Sequence, residues 1–156
     1  FPYTTLFRSK MIERKPLKVA STVKASNRKA SSEESLSELR QWPVQLRLIN
    51  TEAPYLKNAD LLVAADCTAY AYANFHSDFI KDHITVIGCP KLDDVKYYEE
   101  KLAEILRKNN IKSITVVRME VPCCGGIVSA VKNAMLNSQT IVPYKEVTIS
   151  TEGNVI

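Results

Sequence analysis

The chain lacks several features that would assign a function directly. It has no apolar run long enough to cross a membrane, so we expect neither a spanning helix nor a membrane partner. It has only four glycines and no glycine-rich phosphate-binding loop of the dinucleotide or Walker type. No two of its four cysteines are spaced as C-x-x-C, the pairing that structural zinc sites usually use. These absences argue against common nucleotide-binding motifs and against zinc knuckles.

The bulk composition is that of an ordinary globular domain. With 156 residues, of which 46% are hydrophobic and 24% charged, the chain can bury one sizeable core. The net charge of +4 is mild and the lysines are scattered, so we expect no nucleic-acid partner. The cysteines are too sparse for a secreted disulfide scaffold, which favours a reducing compartment and predicts a cytoplasmic location.

The N-terminal residues are unlike the rest of the chain. Residues 1–9, FPYTTLFRS, resemble the conceptual translation of a sequencing-library adapter fused in frame to a coding sequence. We therefore expect them to be an artefact and the natural protein to begin upstream of Lys10. Residues 10–31 are polar and rich in Lys and Ser, which predicts a flexible linker or tail. Residues 32–156 remain as a single α/β domain.

From residue 31 onward, short apolar runs alternate with amphipathic stretches. The clearest helix covers residues 93–110, where apolar side chains recur on one face. The pattern predicts strands over 44–49, 60–66, 83–88, 112–120 and 146–156, and helices over 31–42, 51–59, 68–81, 93–110 and 126–138. This alternation indicates a three-layer α/β fold, Rossmann-like or flavodoxin-like. We expect a mostly parallel sheet, helices on both faces and a short C-terminal edge strand or hairpin.

All four cysteines come directly after predicted buried strands. Cys67 follows residues 60–66, Cys89 follows residues 83–88, and the pair Cys123 and Cys124 follows residues 112–120. In a parallel sheet the carboxyl ends of the strands share one edge, and neighbouring strands lie roughly 5 Å apart. We therefore expect the four thiols to converge there, and we take Cys67, Cys89, Cys123 and Cys124 as candidate ligands of a metal or a cluster.

The residues near these cysteines are suited to thiolates. Gly125 and Gly126 let the backbone approach closely and donate N–H bonds to sulfur, and the helices that start beside the cysteines favour negative charge. His76 is a further candidate support, although core packing is its plainer interpretation. Single cysteines with one adjacent pair suit a 4Fe-4S cluster better than zinc. Two alternatives stay open, namely redox-active thiols without metal and buried thiols that only pack.

Four stretches of the sequence carry a resemblance to a known family. These are LRQWPVQL, APYLKNADLLVAADCTAYAYANFH, IGCPKLDD and VVRMEVPCCGG. Across residues 38–156 the chain resembles the C-terminal α/β region of ferredoxin-type 4Fe-4S proteins of anaerobic bacteria, in which a dicluster ferredoxin module comes first. PCCGG is also similar to the CCG motif of heterodisulfide-reductase-type subunits, where neighbouring cysteines ligate an iron–sulfur centre. This chain has no further cysteine after Cys124.

The cysteines and the resemblance together imply an iron–sulfur electron-transfer domain. Such a domain is a non-catalytic electron carrier or a subunit of a redox complex rather than an enzyme. Its partner is then the upstream ferredoxin module or another redox protein. The alternative is a cofactor-free module that binds a partner and has buried or redox-sensing thiols. A thiol-dependent enzyme is the weakest hypothesis, because no base is evident near any cysteine.

Overall fold

The computed structural model describes residues 10–12 and 35–156, so residues 1–9 and most of the predicted linker lie outside the described residues. The strands are β1 (Lys10–Met11), β2 (Gln41–Trp42), β3 (Asp60–Ala65), β4 (Ile84–Gly88), β5 (Ser113–Met119) and β6 (Tyr144–Ile149). The helices are α1 (Thr68–Ala71), α2 (Val95–Asn109) and α3 (Gly125–Ser138). A π-helical turn covers His76–Ile80, and 3-10 turns cover Leu46–Leu48, Pro54–Leu56 and Pro122–Cys124.

Strands β3 to β6 form one parallel sheet in the order β4-β3-β5-β6. The predicted α/β fold with a parallel sheet is confirmed, and β6 is the edge strand expected near the C-terminus. The chain runs from β3 outward to β4, then returns past β3 to β5 and β6. Because the direction of winding reverses once, the carboxyl ends of β3 and β5 flank the point where open α/β sheets bind ligands.

Helices α2 and α3 cover one face of this sheet. The connections from β4 to β5 and from β5 to β6 cross the sheet in the same direction, so right-handed crossovers place both helices on the same side. There the two helices pack against each other. Asp94 caps α2 by accepting the Lys96 N–H at 2.9 Å, and Asn110 ends the helix with a left-handed φ of 46°. Both helices were predicted within two residues of their observed bounds.

The connection from β3 to β4 crosses in the opposite direction and therefore covers the other face. The predicted helix over 68–81 is wrong as a single element, because it is divided into the short α1 and the π-helical turn. Local side-chain bonds explain the break. The Tyr72 hydroxyl donates to Asp78 at 2.6 Å, and the Ser77 hydroxyl donates to the Asn74 carbonyl at 3.1 Å. The Ser77 bond satisfies a backbone carbonyl locally and so competes with a continuous helix, and the Tyr72–Asp78 bond joins two side chains across the break.

The segment before β3 differs most from its prediction. The predicted helix over 31–42 begins outside the described residues, and residues 35–40 have no regular structure before β2. Tertiary bonds hold this segment instead, since the Glu38 N–H donates to His76 Nδ1 at 3.1 Å. The Gln41 side chain bonds both backbone groups of Thr85 on β4. Contacts with the rest of the fold, rather than helical hydrogen bonds, hold residues 38–41.

The predicted strand over 44–49 is also wrong. A strand over these residues would place Leu46 and Leu48 on the same face, whereas Leu46 and Ile49 are buried and Leu48 is exposed. That three-residue spacing belongs to the 3-10 turn at Leu46–Leu48. Only a single bridge, from Gln45 to Ile87, extends the sheet beyond β4 among the described residues. The predicted helix over 51–59 is likewise a single 3-10 turn.

Candidate functional site

The structure places the four cysteines at the carboxyl edge of the sheet. Cys89 immediately follows β4, Cys67 lies two residues beyond β3, and Cys123 and Cys124 lie in the 3-10 turn between β5 and α3. Strands β4, β3 and β5 are adjacent and parallel, so these four residues come from three neighbouring strand ends. Their role as ligands stays a prediction, because the described residues contain no group of three or more His, Cys, Asp or Glu side chains arranged to hold a metal ion.

The four thiols are free and differ in exposure. Cys67 and Cys123 are exposed, Cys89 is half-buried and Cys124 is only 7% exposed. Burial raises the pKa of the Cys124 thiol, and a backbone hydrogen bond from Met119 partly lowers it. The charges of the other three cysteines raise this pKa further. Cys124 therefore lies within electrostatic range of Cys67, Cys89 and Cys123.

A hydrogen-bond network that the sequence did not predict holds the Cys89 turn. The Tyr98 hydroxyl accepts the Cys89 N–H at 3.1 Å and donates to the Asp93 carboxylate at 3.0 Å. The Asp93 N–H in turn donates to the Cys89 carbonyl at 3.0 Å. Burial and the Asp93 carboxylate raise the pKa of Tyr98 well above its usual value, so the hydroxyl stays protonated. The sequence showed Tyr98 only as one apolar position of the 93–110 helix.

Gly88 is the residue that lets this tyrosine approach. A Cβ at Gly88 would lie 2.6 Å from the Tyr98 hydroxyl oxygen, closer than side-chain atoms pack. Tyr98 is 1% exposed and has no space to withdraw. Arg47 adds a salt bridge to this network, donating to the Asp93 carboxylate at 2.8 Å. The end of β4 is therefore fixed by packing as well as by hydrogen bonds.

The two glycines predicted to support the thiols differ in role. A Cβ at Gly126 would lie 2.8 Å from Pro90 Cβ, so this glycine lets α3 approach the turn that carries Cys89. A Cβ at Gly125 would have space, because the nearest atom outside its own helix, Arg118 Nη1, would lie 3.8 Å from it. N–H bonds from either glycine to sulfur stay a prediction. Gly126 thus links the strand ends that carry Cys89 and Cys124 by close packing.

His76, the third predicted support, lies at a cavity on the other face of the sheet. It is exposed, and its Nδ1 accepts the Glu38 N–H. Asp66, directly before Cys67, lines the same cavity. Burial raises the pKa of Asp66, a hydrogen bond from Gln45 lowers it, and the charge of Asp93 raises it again. Support of the thiols by His76 stays a prediction.

Of the helices in the described part of the chain, none combines the length and the hydrophobicity that a bilayer-spanning segment requires. Cys67 and Cys123 are exposed at the carboxyl edge of the sheet.

A parallel sheet with one reversal of winding and an open carboxyl edge defines a Rossmann-like α/β domain. Residues 53–156 match the Rossmann-like domain family, and the chain belongs to that family. It is also similar to an uncharacterized protein of Archaeoglobus fulgidus, with 34% identity over 99 residues, which cover 64% of this chain and 69% of the relative. No solved structure matches the chain. Membership of the family establishes the fold. The chemistry at the carboxyl edge has to be argued from the residues that lie there.

Proposed function

We propose that this domain binds a 4Fe-4S cluster through Cys67, Cys89, Cys123 and Cys124 and acts in electron transfer. One observation carries the proposal. All four cysteines of the chain follow the carboxyl ends of three adjacent parallel strands, and none lies within a strand or an α-helix. Thiols that served only as small apolar side chains would be spread through the core rather than gathered at one edge.

The donor set suits a cluster better than a single ion. Structural zinc sites usually draw their ligands in C-x-x-C pairs, and the chain has no such pair. A 4Fe-4S cluster takes four thiolates, each on a different iron atom. Four cysteines from three strand ends match that requirement in number and in chemical type.

Other residues of the chain would prepare the site. The Tyr98 and Asp93 network fixes the turn at Cys89, so this thiol is positioned before any metal binds. Cys124 is withdrawn from water, while Cys67 and Cys123 face it. The buried thiol gives one side of the site a low dielectric, and the exposed thiols give a partner access. A bound cluster supplies single-electron transfer at this edge.

The partner and the location belong to the same proposal. The resemblance of residues 38–156 to ferredoxin-type 4Fe-4S proteins favours a ferredoxin module or another redox protein as the electron partner. A cytoplasmic location fits four free thiols, because that compartment keeps cysteines reduced. On this hypothesis the domain is a carrier or a subunit of a redox complex, and a substrate is not required at the edge.

Anaerobic reconstitution with ferrous iron and sulfide tests the proposal. We expect a brown protein with visible charge-transfer absorbance and about four iron and four sulfide per chain. The variants C67S, C89S, C123S and C124S should each lose most of this absorbance. A variant with all four cysteines replaced by serine gives the baseline for loosely bound iron. A colourless protein that retains four titratable thiols would contradict the proposal.

A second candidate function is a cofactor-free module with redox-sensing thiols. The exposure of Cys67 and Cys123 favours it, since sensing thiols must be reached by an oxidant. Alkylation of the native protein, followed by mass spectrometry, distinguishes the two. Rapid labelling of both cysteines before and after treatment with iron and sulfide supports sensing. Protection of all four cysteines after that treatment supports a cluster.

A further inference from the structure

The pairing between β3 and β5 ends earlier than the pairing of either strand with its outer neighbour. Val117 is the last residue of β5 in register with β3, whereas β5 stays paired with β6 to its final residue. Past this point the Asp66 N–H donates to the Gly88 carbonyl of β4 at 3.0 Å, and the Glu120 N–H donates to the Ile149 carbonyl of β6 at 2.9 Å. The two strand ends are therefore held by their outer neighbours, and a crevice opens between them where the winding reverses.

Helix α1 reaches from one side of this crevice to the other. Cys67 immediately precedes the helix, and its carbonyl accepts the Ala71 N–H at 3.1 Å. The helix follows β3 but also contacts β5. A helix of a single turn is not stable by itself in water, so its position depends on what packs against it. A contact that holds Ala71 therefore also holds Cys67.

The turn after β6 packs against the end of α1. It covers residues 150–154, and the Ser150 carbonyl accepts the Gly153 N–H at 3.0 Å. Gly153 has a φ of 86°, and a Cβ at this position would lie 2.5 Å from the Ala71 carbonyl oxygen. Both the backbone conformation and the contact with Ala71 exclude a side chain here. This close approach fixes the turn against α1.

The same turn is bonded to the end of β5. The Glu120 carboxylate accepts the Thr151 N–H at 3.2 Å and the Thr151 hydroxyl at 3.0 Å. Glu120 directly follows β5 and lies three residues before Cys123. Hydrogen bonds to a charged acceptor are generally stronger than those between neutral groups. The turn therefore connects the helix that follows Cys67 with the segment that leads to Cys123.

We propose that the turn over residues 150–154 is a spacer that sets the separation between Cys67 and Cys123, with Gly153 and Glu120 as its positioning residues. The proposal rests on the proposed function, in which both cysteines bind one cluster, and it names the part of the fold that holds them at the required separation. Both thiols are exposed, so packing in the core does not place them. Ligands that are held in position before a metal binds lose less freedom on binding.

Cross-linking of the metal-free protein tests the spacer without a cluster. Dibromobimane alkylates one thiol and then a second thiol that lies close by, and one bromide ion leaves at each step. In a full-chain C89S/C124S background only Cys67 and Cys123 can react. Mass spectrometry gives the ratio of bridged to singly labelled protein. This ratio reports the separation of the two thiols rather than their exposure, because bridging depends on the effective concentration of one thiol at the other.

Variants of the turn and of its partner give the expected results. Glu120→Ala removes both bonds to Thr151, and we expect the ratio to fall about fivefold. Gly153→Ala forces the turn away from Ala71 and should also lower the ratio. Glu120→Gln keeps an oxygen that accepts both bonds, and Glu152→Ala changes an exposed side chain of the same turn, so both controls should keep the ratio of the background protein. Unchanged ratios in Glu120→Ala and Gly153→Ala, even with a lower Tm, would show that the turn only stabilises the fold and would overturn the proposal.

Reconstitution with iron and sulfide gives a second readout. With all four cysteines present, Glu120→Ala should lose its visible absorbance to a chelator about fivefold faster than Glu120→Gln does. Equal rates of loss would contradict the spacer. If the wild type forms no cluster, the proposed function fails, whereas the cross-linking ratio still decides the role of the turn.

Discussion

The two faces of the parallel sheet are built in different ways. One carries the two long helices α2 and α3, which bury continuous apolar stripes and pack against each other. The other carries the four-residue α1, a π-helical turn and an irregular segment, and it contains the cavity. Long helices need a strong periodic pattern to form, whereas short elements depend on bonds made by particular side chains. We therefore expect the regular face to contribute more to the stability of the domain than the irregular face, which contains the cavity.

The test with the largest expected effect on this comparison removes one buried side chain from each face of the sheet. Leu102→Ala on α2 deletes a side chain that is 1% exposed, and we expect a loss of about 3 kcal/mol in the free energy of unfolding. Ile80→Ala deletes a side chain that borders the cavity and is 6% exposed, so we expect a smaller loss of about 2 kcal/mol. Denaturation with urea measures both. Equal losses would show that the two faces are packed to the same density.

A second test concerns the glycine at the end of β4. Gly88→Ala forces a methyl group against the Tyr98 ring, and we expect a cost of about 1–3 kcal/mol in unfolding free energy. Gly125→Ala is the matched control, because its nearest neighbour would lie 3.8 Å from the added carbon. At the start of a helix that change should be neutral or slightly stabilising. A tolerated Gly88→Ala would mean that Tyr98 does not lie against the strand end.

A third test separates the positioning of Cys89 from general packing. Tyr98→Phe keeps the ring and leaves the Cys89 N–H and the Asp93 carboxylate without their shared partner, at a cost of about 1–2 kcal/mol. In the metal-free Tyr98→Phe variant we expect iodoacetamide to label Cys89 faster than in the wild type. The labelling rate of Cys67 should be unchanged.

Tyr97→Phe controls for the loss of a tyrosine hydroxyl on the same helix. Its hydroxyl lies 3.5 Å from Lys101 Nζ, so the hydrogen bond between them is long and weak. We expect this variant to leave both the unfolding free energy and the labelling rate of Cys89 near those of the wild type. If both phenylalanine variants increased labelling alike, the network at Cys89 would not be specific.

The smallest expected effect is on the pH dependence of stability. When folding raises the pKa of a tyrosine, its protonated form stabilises the folded state. This contribution is complete below the unfolded pKa of about 10 and is lost as the pH rises from there toward the folded pKa. Burial is the main cause of the raised pKa at Tyr98, whereas a hydrogen bond to Asp78 is the main cause at the half-buried Tyr72. Between about pH 9 and 11 the Tm should therefore fall less steeply in Tyr98→Phe than in the wild type. Tyr72→Phe should flatten the fall less than Tyr98→Phe does, and a reversed order would contradict the assignment.

Sequence patterns predicted the regular parts of the fold well because those parts follow a single period. Residues 93–110 and 126–138 form helices α2 and α3 nearly as expected, and the apolar runs at 60–66 and 83–88 form strands β3 and β4. The segment over 44–49 failed because a three-residue burial pattern can look like alternation over so short a stretch. The helix over 68–81 failed because Tyr72 and Ser77 bond to their neighbours and interrupt it.

The sequence by itself determined the class of fold and the placement of the cysteines after strands, because both follow from local periodicity and from the shared direction of parallel strands. Only the tertiary structure decided the partner of Cys89, the close contact between Gly88 and Tyr98, and the cavity beside Asp66. These features join residues that are distant in the sequence or lie on separate elements, and side-chain spacing along one element contains no information about such contacts. The physical reason is that close packing and hydrogen bonds depend on the mutual position of the elements, which only the folded chain defines.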